Sequence, residues 1–369
     1  AILPFVRTPT NLFKFAVERS PMAPLLREWR MDFAAGGARR DLAVARATIG
    51  TGIGALVAEA ATNGLITGSP PTDRNKLRLL TADGWQPYSV KIGDKFYSYR
   101  RLDPFALTIG SAADMATLGD GMTDGQKDKG AALIVASIMG NLTNKTWLSG
   151  LSDMLAGLRD PERYGGRFVD RFAGSALVPT GVAQIARTLD PTARKTDGMA
   201  EYIQSRIPGL SDNLMPKRDV WGREMVNEGG VGPDIMSPIW TSTEKGDPAT
   251  WEAIRVGATV NAPKDDDSLS PQQMDRWRML SGQTAHEWVG ELIKESDYRG
   301  SDIEGQQKSI AHIMKAAREA AKANVLSATP IPSIRPVKGQ RRQRRPFNVP
   351  PPPAGFQNEP PPAGFVLER

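Results

Sequence analysis

Ser270-Pro271-Gln272-Gln273-Met274-Asp275-Arg276-Trp277-Arg278-Met279-Leu280 carries the start of a helix in its first four residues. Ser270 and Gln273 are spaced so that each side chain can satisfy the other's backbone N–H. Pro271, at the first helical position, has no N–H to leave orphaned. Met274, Trp277 and Leu280 then fall on one face. Thr284 and Glu287 repeat the capping-box spacing, which predicts a second helix burying Trp288, Leu292 and Ile293. A third, over about 303–326, repeats apolar residues at Ile310, Ile313, Met314, Ala317 and Ala321. The three are expected to form a small helical bundle over 270–326.

The same start signal recurs upstream. Thr8-Pro9, Ser20-Pro21, Asp103-Pro104, Asp160-Pro161, Asp190-Pro191 and Asp247-Pro248 each read as an N-cap followed by a first-turn proline. The fold expected is therefore mainly α, built from many short or medium helices. One β-hairpin interrupts it at about 89–99. Ser89-Val90-Lys91-Ile92 and Lys95-Phe96-Tyr97-Ser98-Tyr99 alternate, and Gly93-Asp94 is a glycine-first two-residue turn. The predicted organisation is a main helical domain over 1–215 and a loop-rich connector over 216–269, then the bundle and an extended tail over 327–369. Gly229-Gly230-Val231-Gly232-Pro233 and Ser237-Pro238 mark the connector.

The tail holds the chain's basic character. Seven of the 47 basic residues lie beyond Ser327, opposed only by Glu359 and Glu368, so the body is nearly neutral. Arg341, Arg342, Arg344 and Arg345 fall within five residues and form a candidate phosphate-binding run, with a solvated basic linker as the alternative. PPPAGF occurs at 351–356 and again at 360–365. Proline holds such a segment extended, which makes Phe356 and Phe365 candidate docking anchors on a partner, strengthened by linkage.

Catalytic chemistry finds little support. The absence of cysteine excludes disulfides, thiolate metal sites and thiol nucleophiles. His286-Glu287 opens like a zinc-protease helix, but Gly290 stands where the second histidine is needed, so His286 reads as a helix-surface residue. Asp265-Asp266-Asp267 fails the EF-hand pattern, with Ser270 and Arg276 at the sixth and twelfth positions, and reads as a solvated acidic loop. Gly50-Thr51-Gly52-Ile53-Gly54 lacks the dinucleotide and phosphate-loop spacings. It suits close helix packing or a bilayer-tolerant small-residue face. No catalytic residue, metal, cofactor or small-molecule substrate is expected.

Two uncharged stretches bear on membranes, 47–58 with its continuation past Glu59, and 130–144. Both fall short of the roughly 20 apolar residues that span a bilayer, which favours core helices and leaves insertion within an oligomer open. Leu12, Phe13, Phe15 and Ala16, with Lys14 and Arg19, suit either a membrane surface or a helix docked on a neighbour. Ala1 in place of a methionine suggests that the chain begins within a longer protein.

Several phrases occur together in order. They are Leu3-Pro4-Phe5-Val6-Arg7-Thr8-Pro9, Arg19-Ser20-Pro21-Met22-Ala23-Pro24-Leu25, Gly84-Trp85-Gln86-Pro87-Tyr88-Ser89 and Tyr97-Ser98-Tyr99-Arg100-Arg101-Leu102-Asp103-Pro104. Further along come Asn144-Lys145-Thr146-Trp147-Leu148-Ser149-Gly150-Leu151, Ile207-Pro208-Gly209-Leu210-Ser211, Arg218-Asp219-Val220-Trp221-Gly222 and Ser237-Pro238-Ile239. In this the chain, from Ala1 to about Leu326, resembles large polyvalent protein-associated domain 38 of phage and prophage polyvalent proteins. The resemblance implies the non-catalytic C-terminal part of a large internal virion protein of a short-tailed phage. Such a protein is packaged in the head near the portal and ejected ahead of the genome to help deliver it across the host envelope. Expected partners are other virion proteins of the portal, core or tail, further copies of the chain, packaged DNA through the basic tail, and the host membrane. Two alternatives stay open. One is a fixed minor structural or portal/tail-adaptor protein, and the other a DNA-binding host-takeover module delivered with the genome.

Overall fold

The computed structural model describes residues 3–119, 180–196, 198–229 and 239–327, and between them residues 134, 137, 138, 140 and 141. All of these fall within a unit of Ala1–Ser327, from which Ala328–Arg369 separate. The protein is mainly α with one small antiparallel sheet. The helices described are α1 (Leu3–Glu18), α2 (Arg27–Ala35), α3 (Gly37–Thr62), α4 (Arg74–Ala82), α5 (Phe105–Gly119), α6 (Thr180–Leu189), α7 (Met199–Gln204), α8 (Pro248–Val256), α9 (Pro271–Leu292), α10 (Ser296–Gly300) and α11 (Ile303–Ser327).

The start signals divide according to what the side-chain oxygen holds. At α9 the capping box is complete, with Ser270 and Gln273 each accepting the other's backbone N–H. At α8 Asp247 accepts the Ala249 N–H and Pro248 takes the first position. Asp103-Pro104 precedes α5. Ser20 caps only a turn before a short 3₁₀ segment, Ala23–Leu25. Two pairs depart from expectation. Thr8-Pro9 lies inside α1, and Asp190-Pro191 follows the end of α6, where Asp190 is held by Arg194 in a two-pronged ion pair. Asp160-Pro161 lies outside the described residues. Thr284 starts no helix either, because α9 runs through it unbroken to Leu292.

The hairpin forms as predicted, with β1 (Ser89–Ile92) paired to β2 (Lys95–Ser98) in the register Ser89↔Ser98 and Ile92↔Lys95. A third strand, β3 (Thr241–Thr243), adds to the free edge of β2 and gives the order β1-β2-β3.

The largest core joins segments far apart in sequence. Leu79 and Ala82 of α4, Ala253 and Val256 of α8, Ala285 and Val289 of α9, and Ile310, Met314 and Ala317 of α11 bury one another around Trp221. The Trp221 ring is fully enclosed and its indole N–H donates to Thr250 Oγ1 at 2.7 Å. Two glycines admit this turn to the side of α9. A Cβ on Gly222, whose φ is +74°, would lie 2.3 Å from the Met279 carbonyl oxygen, and one on Gly282 would lie 2.2 Å from the Trp221 backbone. Arg218 fixes the same turn by a fork to both carboxylate oxygens of Asp275, each at 2.7 Å. Residues 216–269 thus supply a turn, a strand and a helix to the packed body.

Candidate functional site

The positions of Gly36 and Gly37 determine how α3 is presented. Both have positive φ, 72° and 53°, and they reverse the chain between α2 and α3. Trp29 of α2 then donates its indole N–H to the Ala43 carbonyl of α3. From Gly37 the helix continues for 26 residues, about 39 Å at 1.5 Å per residue. Arg46 and Glu59, which bound the uncharged stretch in sequence, both lie inside this single helix.

The faces of α3 are assigned against the usual rule. The residues it buries are Ala43, Gly50, Val57 and Ala61. A Cβ on Gly50 would sit 2.3 Å from the Arg19 carbonyl oxygen, so only glycine lets the turn that follows α1 approach this closely. Gly54 faces Ala112 of α5 across the other contact. Leu42, Ile49, Ile53 and Leu56 instead face solvent, at 52, 62, 52 and 68% exposed. Their spacing of seven, four and three residues puts them in one stripe. Met31 and Phe33 of α2 are also exposed. In the 18-residue window that makes α3 long and apolar enough to cross a membrane, only 17% is buried. Small residues at helix contacts with large apolar residues facing outward is how helices pack in lipid, where close backbone approach replaces a hydrophobic interior. In water an exposed apolar stripe of this kind marks a surface made to be covered.

The helix α1 is docked rather than free. Ala16 and Val17 are buried with Leu107, Ile134 and Ile138, and Phe13 and Leu12 pack beside them. Lys14 reaches Glu28 at 2.5 Å.

Two polar centres are built around carboxylates drawn into the body, Asp247 and Asp114. His286 is half-buried, not a bare surface residue. Its Nε2 lies 2.7 Å from Asp247 Oδ2, which also accepts from Arg223 at 2.8 Å, and Trp221 stands edge-on to the imidazole ring at 5.2 Å. Burial pushes the Asp247 carboxyl up, but the hydrogen bonds and charges of His286 and Arg223 prevail and hold it well below the usual carboxylate range. Asp247 also caps α8, so the cluster ties the 223 turn, α8 and α9 together. The second centre is Asp114 on α5, which accepts from the Ser69 N–H and hydroxyl and from Asn141 Nδ2. Burial raises its carboxyl and these bonds offset part of the rise. A Cβ on Gly68 would lie 1.9 Å from Asp114 Oδ1. Each carboxylate is engaged by its own structural donors.

The acidic loop at 265–267 keeps Asp265 and Asp267 exposed, in line with a solvated loop, and is also paired. Asp265 meets Arg278, and Lys322 at 2.6 Å holds Asp266 down to about 2. Among the described residues no group of three or more histidines and carboxylates is placed to hold a metal. Arg341, Arg342, Arg344, Arg345, Phe356 and Phe365 lie outside the described residues, as does most of the 130–144 stretch. Sequence reasoning found the Gly50–Gly54 pair but missed the stripe beside it, whose signal was the spacing of Leu42, Ile49, Ile53 and Leu56. Comparisons with protein-family models, with curated proteins and with solved structures found no match for the chain.

Proposed function

We propose that this chain is a non-catalytic part of a large phage internal virion protein, carried in the particle near the portal and released to help the genome cross the host envelope. In this reading the outward stripe of α3 is its working surface, covered by other virion proteins or further copies in the particle and by lipid after release. The observation that carries the proposal is the inverted helix, with Gly50 and Gly54 inside and Leu42, Ile49, Ile53 and Leu56 outside. A surface that must be covered in two different settings suits large apolar groups left exposed among the described residues. The resemblance of the ordered phrases to the polyvalent-protein domain favours the phage setting, and the basic run at 341–345 suits life beside packaged DNA.

The test is mass spectrometry of purified particles before and after genome release. The ejection reading expects peptides from this chain in full particles and their loss from emptied ones. Retention in emptied particles would instead make it a fixed structural or portal/tail-adaptor component, with the α3 stripe buried against a permanent neighbour. Absence from both kinds of particle would reject the virion reading.

A further inference from the structure

The inner side of α3 borders a cleft of about 220 Å³ that is almost entirely apolar. Gly50, Gly54 and Ala58 of α3, Ala112 and Met115 of α5, and Ile138 line it. This is larger than the roughly 150 Å³ of an apolar cavity that stays dry and takes up benzene. Arg19 also lines the cleft. Its guanidinium stacks 3.5 Å above the Phe15 ring, donates to the Phe15 carbonyl, and lies 3.7 Å from Glu18. Arg46 approaches the same Glu18 carboxylate at 3.9 Å, so two guanidiniums share one carboxylate and leave an excess positive charge. Thr108 also lines the cleft, and its Oγ1 is buried with no hydrogen-bond partner among the described residues.

We propose that this cleft binds a single alkyl chain carrying an anionic head, with the chain between α3 and α5 and the head beside Arg19. The chemistry is shared by a free fatty acid and by one acyl chain of an anionic lipid. The proposal rests on the inner wall of α3 and stands apart from the fate of its outer stripe.

The probe is laurate below its micelle concentration, added to the full chain and read by displacement of a fluorescent polyene fatty acid. Saturable one-to-one binding is expected, strengthening by about fourfold for each methylene added until the cleft is full. Laurate should exceed the trimethylammonium amphiphile of equal chain length by about fivefold, and Arg19→Gln should erase that preference. Gly54→Leu directs a side chain toward Ala112, where a Cβ meets only ordinary contact at 3.9 Å. It should weaken laurate by roughly tenfold or more. Ala112→Leu provides the same block from α5 if Gly54→Leu lowers the helical circular-dichroism signal. Displacement of bound laurate by anionic phospholipid vesicles would identify a bilayer chain as the ligand, and its retention a free fatty acid. Laurate binding unchanged in both blocking variants, or equal affinity for the two head groups, overturns the proposal. Vesicle binding lost on changing Ile49 and Ile53 while laurate binding persists would separate this cleft from the outer stripe.

Discussion

The helices α3 and α11 are nearly equal in length, 26 and 25 residues, and use their side chains in opposite ways. α11 turns Ile310, Met314 and Val325 inward and leaves Lys308, Lys315 and Glu319 in water. α3 turns Ala43, Gly50, Val57 and Ala61 inward and leaves leucine and isoleucine in water. The first arrangement is complete in the folded chain, because burying large apolar groups is what stabilises it. The second holds its position by close backbone approach and keeps its largest apolar groups unspent. One region therefore carries stability and the other presents an exposed apolar surface. Substitutions in the two should report different quantities.

The largest effect belongs to the core that α11 shares. Trp221→Ala should destabilise the protein by about 3–5 kcal/mol, since losing the enclosed ring leaves a cavity among α4, α8, α9 and α11. Urea unfolding followed by circular dichroism measures it. A loss below 1 kcal/mol would mean that this core is not the stabilising half of the molecule.

Next comes the carboxylate that ties the 223 turn, α8 and α9. Asp247→Ala should cost about 3 kcal/mol at pH 7, combining a lost cap with an unpaired Arg223. The Asp247 carboxyl is depressed in the folded protein, so its contribution is present above the unfolded value near 4 and disappears as pH falls through the lower folded value. The difference between native protein and variant should therefore shrink in urea titrations carried from pH 5 towards pH 2. A gap that stays constant with pH would remove the ion pair from the account.

Two glycines two residues apart in α3 sharpen the contrast within one helix. Gly50→Ala pushes a methyl into the Arg19 backbone and should cost about 1–3 kcal/mol. Gly52→Ala meets nothing within 4 Å and should stabilise the protein by about 0.5–1 kcal/mol through helix propensity alone. Thermal unfolding of the pair, compared with the parent, checks both signs at once.

How much of this was legible depended on whether a signal was local. The hairpin could be read because alternation and a Gly93-Asp94 turn agree over eleven residues, and α8 and α9 because Asp247 and Ser270 cap within three. Pairs of the same type at Thr8 and Asp190 misled, since what an oxygen caps depends on the neighbour that reaches it, here Arg194 in the second case. β3 is three residues long and forms only through pairing with a strand about 145 residues away. The Gly50–Gly54 spacing was visible, but which face of α3 would remain open was decided by α1 and α5. The burial of Trp221 likewise depends on α4, α8, α9 and α11 at once.

The smallest effect on stability is the most telling for function. Ile49→Ser combined with Ile53→Ser removes the middle of the exposed stripe, where both side chains are more than half exposed. In solution the folded protein loses almost no packing, so the change in unfolding free energy should stay within about 0.5 kcal/mol for each site. Partitioning onto vesicles should fall sharply, because the buried apolar area supplies membrane affinity and serine removes it from the centre of the contact. A matched control, Ile310→Ser in α11, should do the reverse, destabilising strongly because its side chain is fully buried. If instead the α3 double variant unfolds as readily as the α11 variant, the stripe is already covered within the protein. α3 would then be an ordinary core helix whose cover lies beyond the described residues, and the contrast between the two helices would be one of position only.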